Sequence, residues 1–210
     1  MPAPIFITGI GTGIGKTLVA AIVTEALQAD YWKPVQAGFA EGTDSEWVKE
    51  KISNKYTIVH PELYRLKLPA SPHIAAREEG IEINVSHIAA AIPSASRQLV
   101  IEGAGGLMVP LNKQEFVADL IREMGAKVVL VSRNYLGSIN HSLLTAAVCN
   151  SMGLNVAGWV FNDNYGSYQE EIAHWTNLPV LGSIPFSASC DRTFVEQQAM
   201  LLGPNLKKWI

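Results

Sequence analysis

The chain has 210 residues, of which 48% are hydrophobic and 17% are charged, and its formal net charge is −3. This length suits one domain over residues 1–210, and the composition excludes a largely disordered chain. We expect no nucleic-acid partner, because such proteins present a basic face or stripe. The N-terminus has no charged segment before an apolar one, and no apolar run is long enough to span a membrane. The sequence therefore predicts a soluble cytoplasmic protein without a membrane partner.

Short apolar, β-branched runs alternate along the chain with segments of helical periodicity. The clear predicted strands are 5–8, 99–102, 128–131, 156–161 and 180–184, with a weaker one at 31–35. The predicted helices are 16–29, 86–92, 116–124, 138–151 and 168–176, with Gly153 just beyond the end of the fourth. The segment 37–86 is less regular. Strands that are apolar on both faces and alternate with helices predict an α/β fold, a mainly parallel sheet flanked by helices.

A glycine-rich segment joins the first predicted strand to the first predicted helix. It reads Gly9, Ile10, Gly11, Thr12, Gly13, Ile14, Gly15, Lys16, Thr17. Strand, glycine loop and helix opening with Lys-Thr are the context of a phosphate-binding loop, in which backbone N–H groups surround phosphate oxygens. The spacing is one residue longer than the usual G-x4-G-K-[ST]. The alternative is a glycine-rich turn that binds nothing. This alternative does not explain why Lys16 and Thr17 stand at the start of the helix.

Three charged residues are candidates for chemistry at the same edge of the sheet. Glu102 ends a predicted strand and precedes a second glycine turn, where a carboxylate can hold Mg²⁺; a surface Glu at a strand end is the alternative. Asp44 is either a second Mg²⁺ ligand or the N-cap of the helical run that follows it. Lys33 is either a solvated residue at a strand edge or a cation directed over the crevice. Spacing alone slightly favours the solvated residue.

Taken together and in order, these segments resemble the dethiobiotin synthetase family over almost the whole chain. Besides the phosphate loop, the markers lie at 33–38, 71–73, 102–106, 136–141, 158–162 and 182–185. None is sufficient alone, but their joint order is specific. The two cysteines, Cys149 and Cys190, predict neither a metal site nor a disulfide framework.

The resemblance implies a reaction in which ATP, CO₂ and 7,8-diaminononanoate give dethiobiotin, ADP and phosphate. It proceeds through a carbamate and a carbamic–phosphoric anhydride. The resemblance also assigns roles to the matching residues. Thr12 lies beside the diamine and carbamate, Lys16 bridges the γ-phosphate and the carbamate, and Lys33 stabilises the charge that develops on the anhydride.

The same resemblance implies ligands for the nucleotide and for Mg²⁺. Thr17, Asp44 and Glu102 hold the metal ion. Asn162 reads adenine through its side-chain amide, and Pro185 completes the adenine pocket. The remaining nucleotide contacts come from the phosphate loop and the first helical turn: Gly11, Gly13, Ile14, Gly15, Lys16, Thr17 and Leu18.

The resemblance further implies a homodimer in which residues 136–141 face the active site of the second subunit and receive the substrate carboxylate. Two departures from the family pattern concern the substrate site. Gly13 stands where many members have an acidic residue, and Ala37 stands where many have Ser. Both remove polar side chains, so they affect the fine geometry of substrate binding more than the class of reaction.

Three other functions are compatible with part of the sequence. A partition or septum-site ATPase shares the deviant phosphate loop but usually carries a second lysine early in it, where this chain has Ile10, Gly11 and Thr12. An amidotransferase such as cobyrinate a,c-diamide synthase needs an added glutaminase domain with a Cys–His pair. A non-catalytic nucleotide-binding module would not require Lys33 or Glu102.

Overall fold

The protein is described here by a computed structural model covering residues 2–94, 96–163 and 168–210. Within these residues, seven parallel strands form one sheet in the order β4-β2-β6-β1-β7-β8-β9, and β3 pairs with β5 in a small second sheet. The strands are β1 (Ile5–Gly9), β2 (Asp30–Trp32), β3 (Val35–Ala37), β4 (Val59–His60), β5 (Tyr64–Leu66), β6 (Leu99–Glu102), β7 (Lys127–Arg133), β8 (Asn155–Asn162) and β9 (Val180–Ile184).

Helices connect the strands and cover both faces of the large sheet. They are α1 (Lys16–Leu27), α2 (Asp44–Lys51), α3 (Pro72–Glu78), α4 (Val85–Ala90), α5 (Val117–Glu123), α6 (Ser138–Ser151), α7 (Tyr168–Thr176) and α8 (Arg192–Trp209). This arrangement confirms the predicted α/β class with a mainly parallel sheet. None of the described helices is both long enough and apolar enough to cross a membrane.

Alternate residues of each central strand enter two separate hydrophobic cores. Phe6, Trp32 and Ile101 lie in the core beneath α3 to α7, whereas Ile7 and Val100 lie in the core beneath α1 and α8. The side-chain period of two along a strand produces this division. It explains why the strands are apolar on both faces, as the sequence indicated.

The structure confirms the five clear strands and the five predicted helices, with shifts of a few residues at their ends. Gly153 has a φ of 64° just after the C-cap residue Met152, as expected for a glycine that ends a helix. Helix α1 ends at Leu27 rather than at Ala29, because Gln28 adopts a left-handed conformation. Cys149 is buried.

The predicted strand 31–35 was wrong as a single element. It is divided at Lys33 and Pro34 into β2, which belongs to the large sheet, and β3, which belongs to the small one. Pro34 has no backbone N–H to donate to a ladder of hydrogen bonds, so the strand stops there. As a consequence, Lys33 lies at the carboxyl end of a strand instead of within one.

Sequence reasoning missed α3 and α8, and it recognised α2 only as a helical run after Asp44. Gly203 and Pro204 lie inside α8 and would normally indicate a helix end. Tertiary packing overrides that signal, because α8 lies against α1 and β9 and buries Val195, Leu202 and Leu206. The irregular segment 37–86 contains α2, α3, β4 and β5.

The end of α1 is tied to the loop after α2 by one carboxylate. Glu25 accepts hydrogen bonds from the backbone N–H and Oγ of Ser53, at 2.8 and 2.7 Å, and from the backbone N–H and Nδ2 of Asn54, at 3.2 and 2.9 Å. Burial alone would raise the pKa of Glu25, but these donors outweigh it and lower the pKa below its ordinary value. The ionised carboxylate therefore stabilises the fold.

We expect Glu25→Gln to lower the free energy of unfolding by about 1–3 kcal/mol at neutral pH, because the donors lose a charged acceptor. Folding lowers the pKa of Glu25, so its contribution is present above the unfolded-state pKa and disappears as the pH falls through the folded-state pKa. Urea unfolding across an acid pH series should show the two proteins converging at low pH. Glu123→Gln, an exposed position on α5, is the control. A difference that stayed constant at every pH would contradict this account.

Candidate active site

The phosphate loop lies between β1 and α1 at the carboxyl edge of the sheet. In the described part of the chain, none of the backbone N–H groups of residues 11–15 donates a hydrogen bond within the protein. Gly13 and Gly15 have φ values of 71° and 90°, a region that favours glycine, and they allow the loop to curve before the helix begins. Free N–H donors ahead of a helix N-terminus form a site for an anion such as phosphate.

Lys16 is the first residue of α1, and its side chain folds back along the loop. Its Nζ donates a hydrogen bond of 2.6 Å to the carbonyl oxygen of Gly11. Burial lowers the pKa of Lys16 to about 8; the nearby ammonium of Lys33 lowers it further, and Glu102 and Asp44 oppose the shift. An anion bound in the loop would restore the ordinary preference of this lysine for the charged form.

A capping box at the start of α2 fixes the position of Asp44. Thr43 is the N-cap residue: its Oγ1 accepts from the N–H of Glu46 at 3.1 Å, and Glu46 Oε2 accepts from the N–H of Thr43 at 2.8 Å. The alternative in which Asp44 is the N-cap is therefore wrong. Since Thr43 performs the capping, the carboxylate of Asp44 remains available to the active site.

The alternation of side chains in the sheet brings Lys33 and Glu102 together. Tyr31 in β2 pairs with Val100 in β6, so the residues two positions further on, Lys33 and Glu102, project from the same face. Both are buried, with exposed fractions of 5% and 1%. The structure thus contradicts the interpretation of Lys33 as a solvated edge residue and of Glu102 as a surface residue.

Lys33 forms ion pairs with two carboxylates that come from distant segments. Its Nζ lies 2.7 Å from Asp44 Oδ2 and 2.8 Å from Glu102 Oε1. Thr17 Oγ1 contacts the same two residues, at 3.0 Å from Asp44 Oδ1 and 2.9 Å from Glu102 Oε1. We call these four residues, Thr17, Lys33, Asp44 and Glu102, the charged cluster.

The opposite charges in the charged cluster reinforce one another. Burial by itself would lower the pKa of Lys33, but the carboxylates of Glu102 and Asp44 outweigh it and raise the pKa above its ordinary value. Burial would likewise raise the pKa of Asp44, but the ammonium of Lys33 dominates and lowers it. Both shifts favour the charged forms, an ammonium on Lys33 and a carboxylate on Asp44.

The donor atoms of the charged cluster fit a magnesium ion. Thr17, Asp44 and Glu102 supply one hydroxyl and two carboxylates whose oxygens converge beside the phosphate loop. Mg²⁺ prefers oxygen ligands and is commonly bound through one or two carboxylates together with substrate phosphates and water. The residues predicted from the sequence to hold the metal are therefore in contact with one another.

A cavity of about 760 Å³ lies over the phosphate loop and the charged cluster. The predicted site residues that line it are Thr12, Gly13, Gly15, Lys16, Thr17, Lys33, Asp44 and Glu102. On the side of β3 and α3, the cavity wall includes the apolar residue Ala37 and the polar residue Ser71. A second cavity, of about 640 Å³, lies on the other side of the loop and is lined by Gly11, Ile14 and the ion-paired Arg133 and Asp163.

Three predicted nucleotide contacts line neither of these two cavities. Asn162 ends β8, and its Nδ2 donates to the carbonyl oxygen of Ile14 at 2.9 Å. Pro185 is exposed and directly follows Ile184, the residue that pairs with Asn162 across β8 and β9. Leu18 packs at the edge of the core beneath α1. Asn162 and Pro185 therefore lie at neighbouring strand ends, as an adenine pocket requires.

Close approach explains two glycines near the loop. A Cβ on Gly15 would come within 2.0 Å of Asn162 Nδ2, so a side chain there would displace Asn162. A Cβ built on Gly106, in the second glycine turn, would lie 3.3 Å from the backbone of Gly11. Gly106 therefore packs against the phosphate loop, while its neighbours Ala104 and Gly105 line the first cavity.

Two buried residues of the site were missed from the sequence. Tyr31 donates its hydroxyl to Glu102 Oε2 at 2.7 Å, and burial together with the charge of Glu102 holds its pKa well above the ordinary value. Gln36 accepts from the N–H of Asp44 at 3.3 Å and donates to the carbonyl oxygen of Gly38 at 2.8 Å. A polar side chain in an otherwise apolar strand needs a buried hydrogen-bond partner. The positions of Tyr31 and Gln36 in such strands were therefore the sequence signal that could have identified them.

Comparisons with known proteins identify the family to which the chain belongs. Residues 3–193 match the protein family described as AAA domain. The ATP-dependent dethiobiotin synthetase BioD of Christiangramia forsetii is 46% identical over 200 residues, which cover 95% of each chain. The BioD protein of Cytophaga hutchinsonii is 52% identical over 168 residues, which cover 80% of each chain.

Solved structures with a similar fold include cell-division and partition ATPases. MinD of Aquifex aeolicus aligns over 97% of this chain and 94% of its own, with a TM-score of 0.58 and 16% identity. A ParA family ATPase of Chlorobium tepidum aligns over 98% and 90%, with a TM-score of 0.53 and 12% identity. At such low identity the likeness concerns the fold alone, whereas the sequence relatives above are 46% and 52% identical over 95% and 80% of both chains. The chain belongs to the family of ATP-dependent dethiobiotin synthetases.

Proposed function

We propose that this enzyme, an ATP-dependent ligase, closes the ureido ring of dethiobiotin from 7,8-diaminononanoate and CO₂ in biotin biosynthesis. The observation that carries the proposal is the convergence of Lys16, Lys33 and two carboxylates in one cavity over a phosphate loop with free N–H donors. A nucleotide-binding module without chemistry has no need of a lysine buried between Asp44 and Glu102.

The proposed reaction has three bond-forming steps. One amine nitrogen of the diamine attacks the carbon of CO₂ and loses a proton to form a carbamate. A carbamate oxygen then attacks the γ-phosphorus of ATP, and the bond to the β-γ bridging oxygen breaks to release ADP. Finally the second amine attacks the carbonyl carbon of the mixed anhydride and loses a proton, and the C–O bond to the phosphoryl group breaks to release phosphate.

The two lysines suit the second step, in which two anions must meet. Carbamate and γ-phosphate repel one another, and cations placed beside both groups reduce that repulsion in the transition state. Lys16 begins at the phosphate loop, and Lys33 begins at the end of β2, so they approach the cavity from different sides. Thr12 lines the cavity on the loop side and is proposed to contact the diamine and carbamate.

Neither lysine is free in this structure, and both must exchange partners during the reaction. Lys16 leaves the carbonyl oxygen of Gly11 to reach a phosphate, and Lys33 leaves Asp44 or Glu102 to reach a carbamate. In each exchange, a new charge-assisted hydrogen bond replaces the one that is lost, so the exchange has a small free-energy cost. Thr17, Asp44 and Glu102 would hold Mg²⁺, which when bound neutralises charge on the nucleotide phosphates.

Adenine is proposed to lie beside Asn162 and Pro185. The amide of Asn162 carries both a donor and an acceptor, which allows it to pair with an adenine edge. One of its N–H groups already holds Ile14 and so ties this pocket to the phosphate loop. On the substrate side, Gly13 and Ala37 line the cavity without polar side chains, whereas Thr12, Gln36 and Ser71 line it with polar ones.

Phosphate release from ATP by the purified protein tests the proposal directly. With Mg²⁺ and bicarbonate present, we expect release to depend on 7,8-diaminononanoate and a product with the mass of dethiobiotin to appear. Omission of bicarbonate is the control, since both the carbamate and the product need its carbon. ATP hydrolysis that is indifferent to the diamine and yields no such product would refute the synthetase function.

We expect Lys33→Met to lower turnover by about 10²–10³-fold, because a charged donor at the transition state is lost while the packing volume is nearly kept. The affinity for ATP should change far less, since the phosphate loop and Lys16 are intact. Steady-state rates and nucleotide titrations separate the two effects. Lys49→Met, an exposed position on α2, is the matched control and should behave as the unmodified protein. Near-normal turnover in Lys33→Met would remove this lysine from the mechanism.

We also propose that the enzyme is a cytoplasmic homodimer whose substrate site is shared across the interface. In support, Leu144 on α6 and Met108 line a shallow cavity beside the phosphate loop and are 58% and 46% exposed. Leu136, just before α6, is 89% exposed. An exposed apolar surface of this kind next to an active site is typical of a protein–protein interface.

We expect Leu144→Asp to convert the dimer into monomers and to reduce ligase activity, because a carboxylate would be desolvated at the interface. Sedimentation velocity of both proteins at the same concentration measures the change. Leu201→Asp introduces the same charge at an exposed position on α8 and should leave the assembly unchanged. A monomeric unmodified protein with full activity would contradict the shared site.

A further inference from the structure

Glu102 uses its two carboxylate oxygens for different contacts. Oε1 faces the cavity, where it lies 2.8 Å from Lys33 Nζ and 2.9 Å from Thr17 Oγ1. Oε2 points into the protein and accepts a hydrogen bond of 2.7 Å from the hydroxyl of Tyr31. Only one oxygen is thus directed to the ligand site, and the other is held from behind.

Tyr31 is well placed to hold a carboxylate and poorly placed to touch a substrate. Its side chain is fully buried in the core beneath α1, and it does not line the cavity over the phosphate loop. Its strand neighbour Val100 fixes the register, so Tyr31 and Glu102 are diagonal partners on one face of the sheet. The backbone N–H of Tyr31 is bonded to Ile58, which fixes the strand on its other side.

We propose that Tyr31 is a positioning residue, whose hydroxyl orients Glu102 so that Oε1 is presented to the metal–nucleotide complex. This rests on the proposed function, in which Glu102 is a ligand of Mg²⁺. Without the hydroxyl, Oε2 is a buried carboxylate oxygen that has lost its donor, and rotation of the carboxylate toward Lys33 becomes favourable. Hydrogen bonds behind a metal ligand fix its orientation, and their loss commonly weakens metal binding by about 10–100-fold.

Tyr31→Phe removes the hydroxyl and keeps the ring. The affinity of the protein–ADP complex for Mn²⁺, a paramagnetic substitute for Mg²⁺, is measured by the electron paramagnetic resonance of free Mn²⁺ with protein in excess over ADP. We expect this affinity to fall about 10–100-fold while ADP affinity in EDTA stays unchanged. Tyr64→Phe, which removes a hydroxyl that contacts Asn84 and His87, is the matched control and should change neither value.

Two results would overturn the proposal. Unchanged Mn²⁺ affinity in Tyr31→Phe would show that Glu102 needs no support. A parallel loss of metal-free ADP affinity would show that the hydroxyl only maintains the fold. A Glu102→Gln background tests the route of the effect: if Tyr31 acts through Glu102, Tyr31→Phe causes no further loss of Mn²⁺ affinity there, and an additive loss contradicts that route.

Should Tyr31→Phe fail to fold, 3-fluorotyrosine placed at position 31 keeps the hydroxyl. Its fluorine resonance is expected to shift when Mg²⁺ joins the ADP complex and not when ADP binds in EDTA; an unmoved resonance refutes the proposal. The outcome is separable from that of the proposed function. If the unmodified protein makes dethiobiotin but Mn²⁺ binding is indifferent to Tyr31, only the positioning role fails. If Mn²⁺ binding falls but no dethiobiotin forms, the positioning role stands and the assigned reaction fails.

Discussion

The buried ion pairs of Lys33 with Asp44 and Glu102 are the interaction on which the site depends. Charges are costly to bury unless they are paired, and here each carboxylate lies within 2.8 Å of the same ammonium group. Removal of Lys33 would leave both carboxylates without their ammonium partner, and the side chain of Glu102 is almost fully buried. Lys33, Asp44 and Glu102 come from the end of β2, the start of α2 and the end of β6. Their ion pairs therefore also link three separate parts of the chain.

Each member reaches the cluster through a local device. Pro34 ends β2 immediately after Lys33 and so releases the lysine at the carboxyl edge of the sheet. Because Thr43 and Glu46 form the capping box of α2, the side chain of Asp44 does not cap the helix. The parallel pairing of β2 with β6 places Glu102 on the face of Lys33 and above Tyr31. Ordinary rules of strand and helix termination therefore assemble a site of unusual charge density.

The resemblance in fold to MinD and ParA ATPases illustrates how little a fold says about chemistry. Those proteins share the parallel sheet and overall course of this chain at 12–16% identity. Function resides in side chains added to the fold. In this chain the proposed function rests on Lys33 and the carboxylates around it. A sequence relative named as a dethiobiotin synthetase matches 95% of the chain.

The sequence by itself determined the fold class, the five clear strands, the phosphate loop with Lys16 and Thr17, and the family. These features are local, since periodicity and loop spacing are written in consecutive residues. The packing of α8 despite Gly203 and Pro204, the break of the strand at Pro34, and the contacts of Tyr31 and Gln36 were decided only by the tertiary structure. The packing of α8 and the contact of Tyr31 depend on residues far apart in the chain; Tyr31 and Glu102 are 71 positions apart. Spacing left open whether Lys33 is solvated or directed over the crevice, because a buried charge is stable only where the fold supplies its partner.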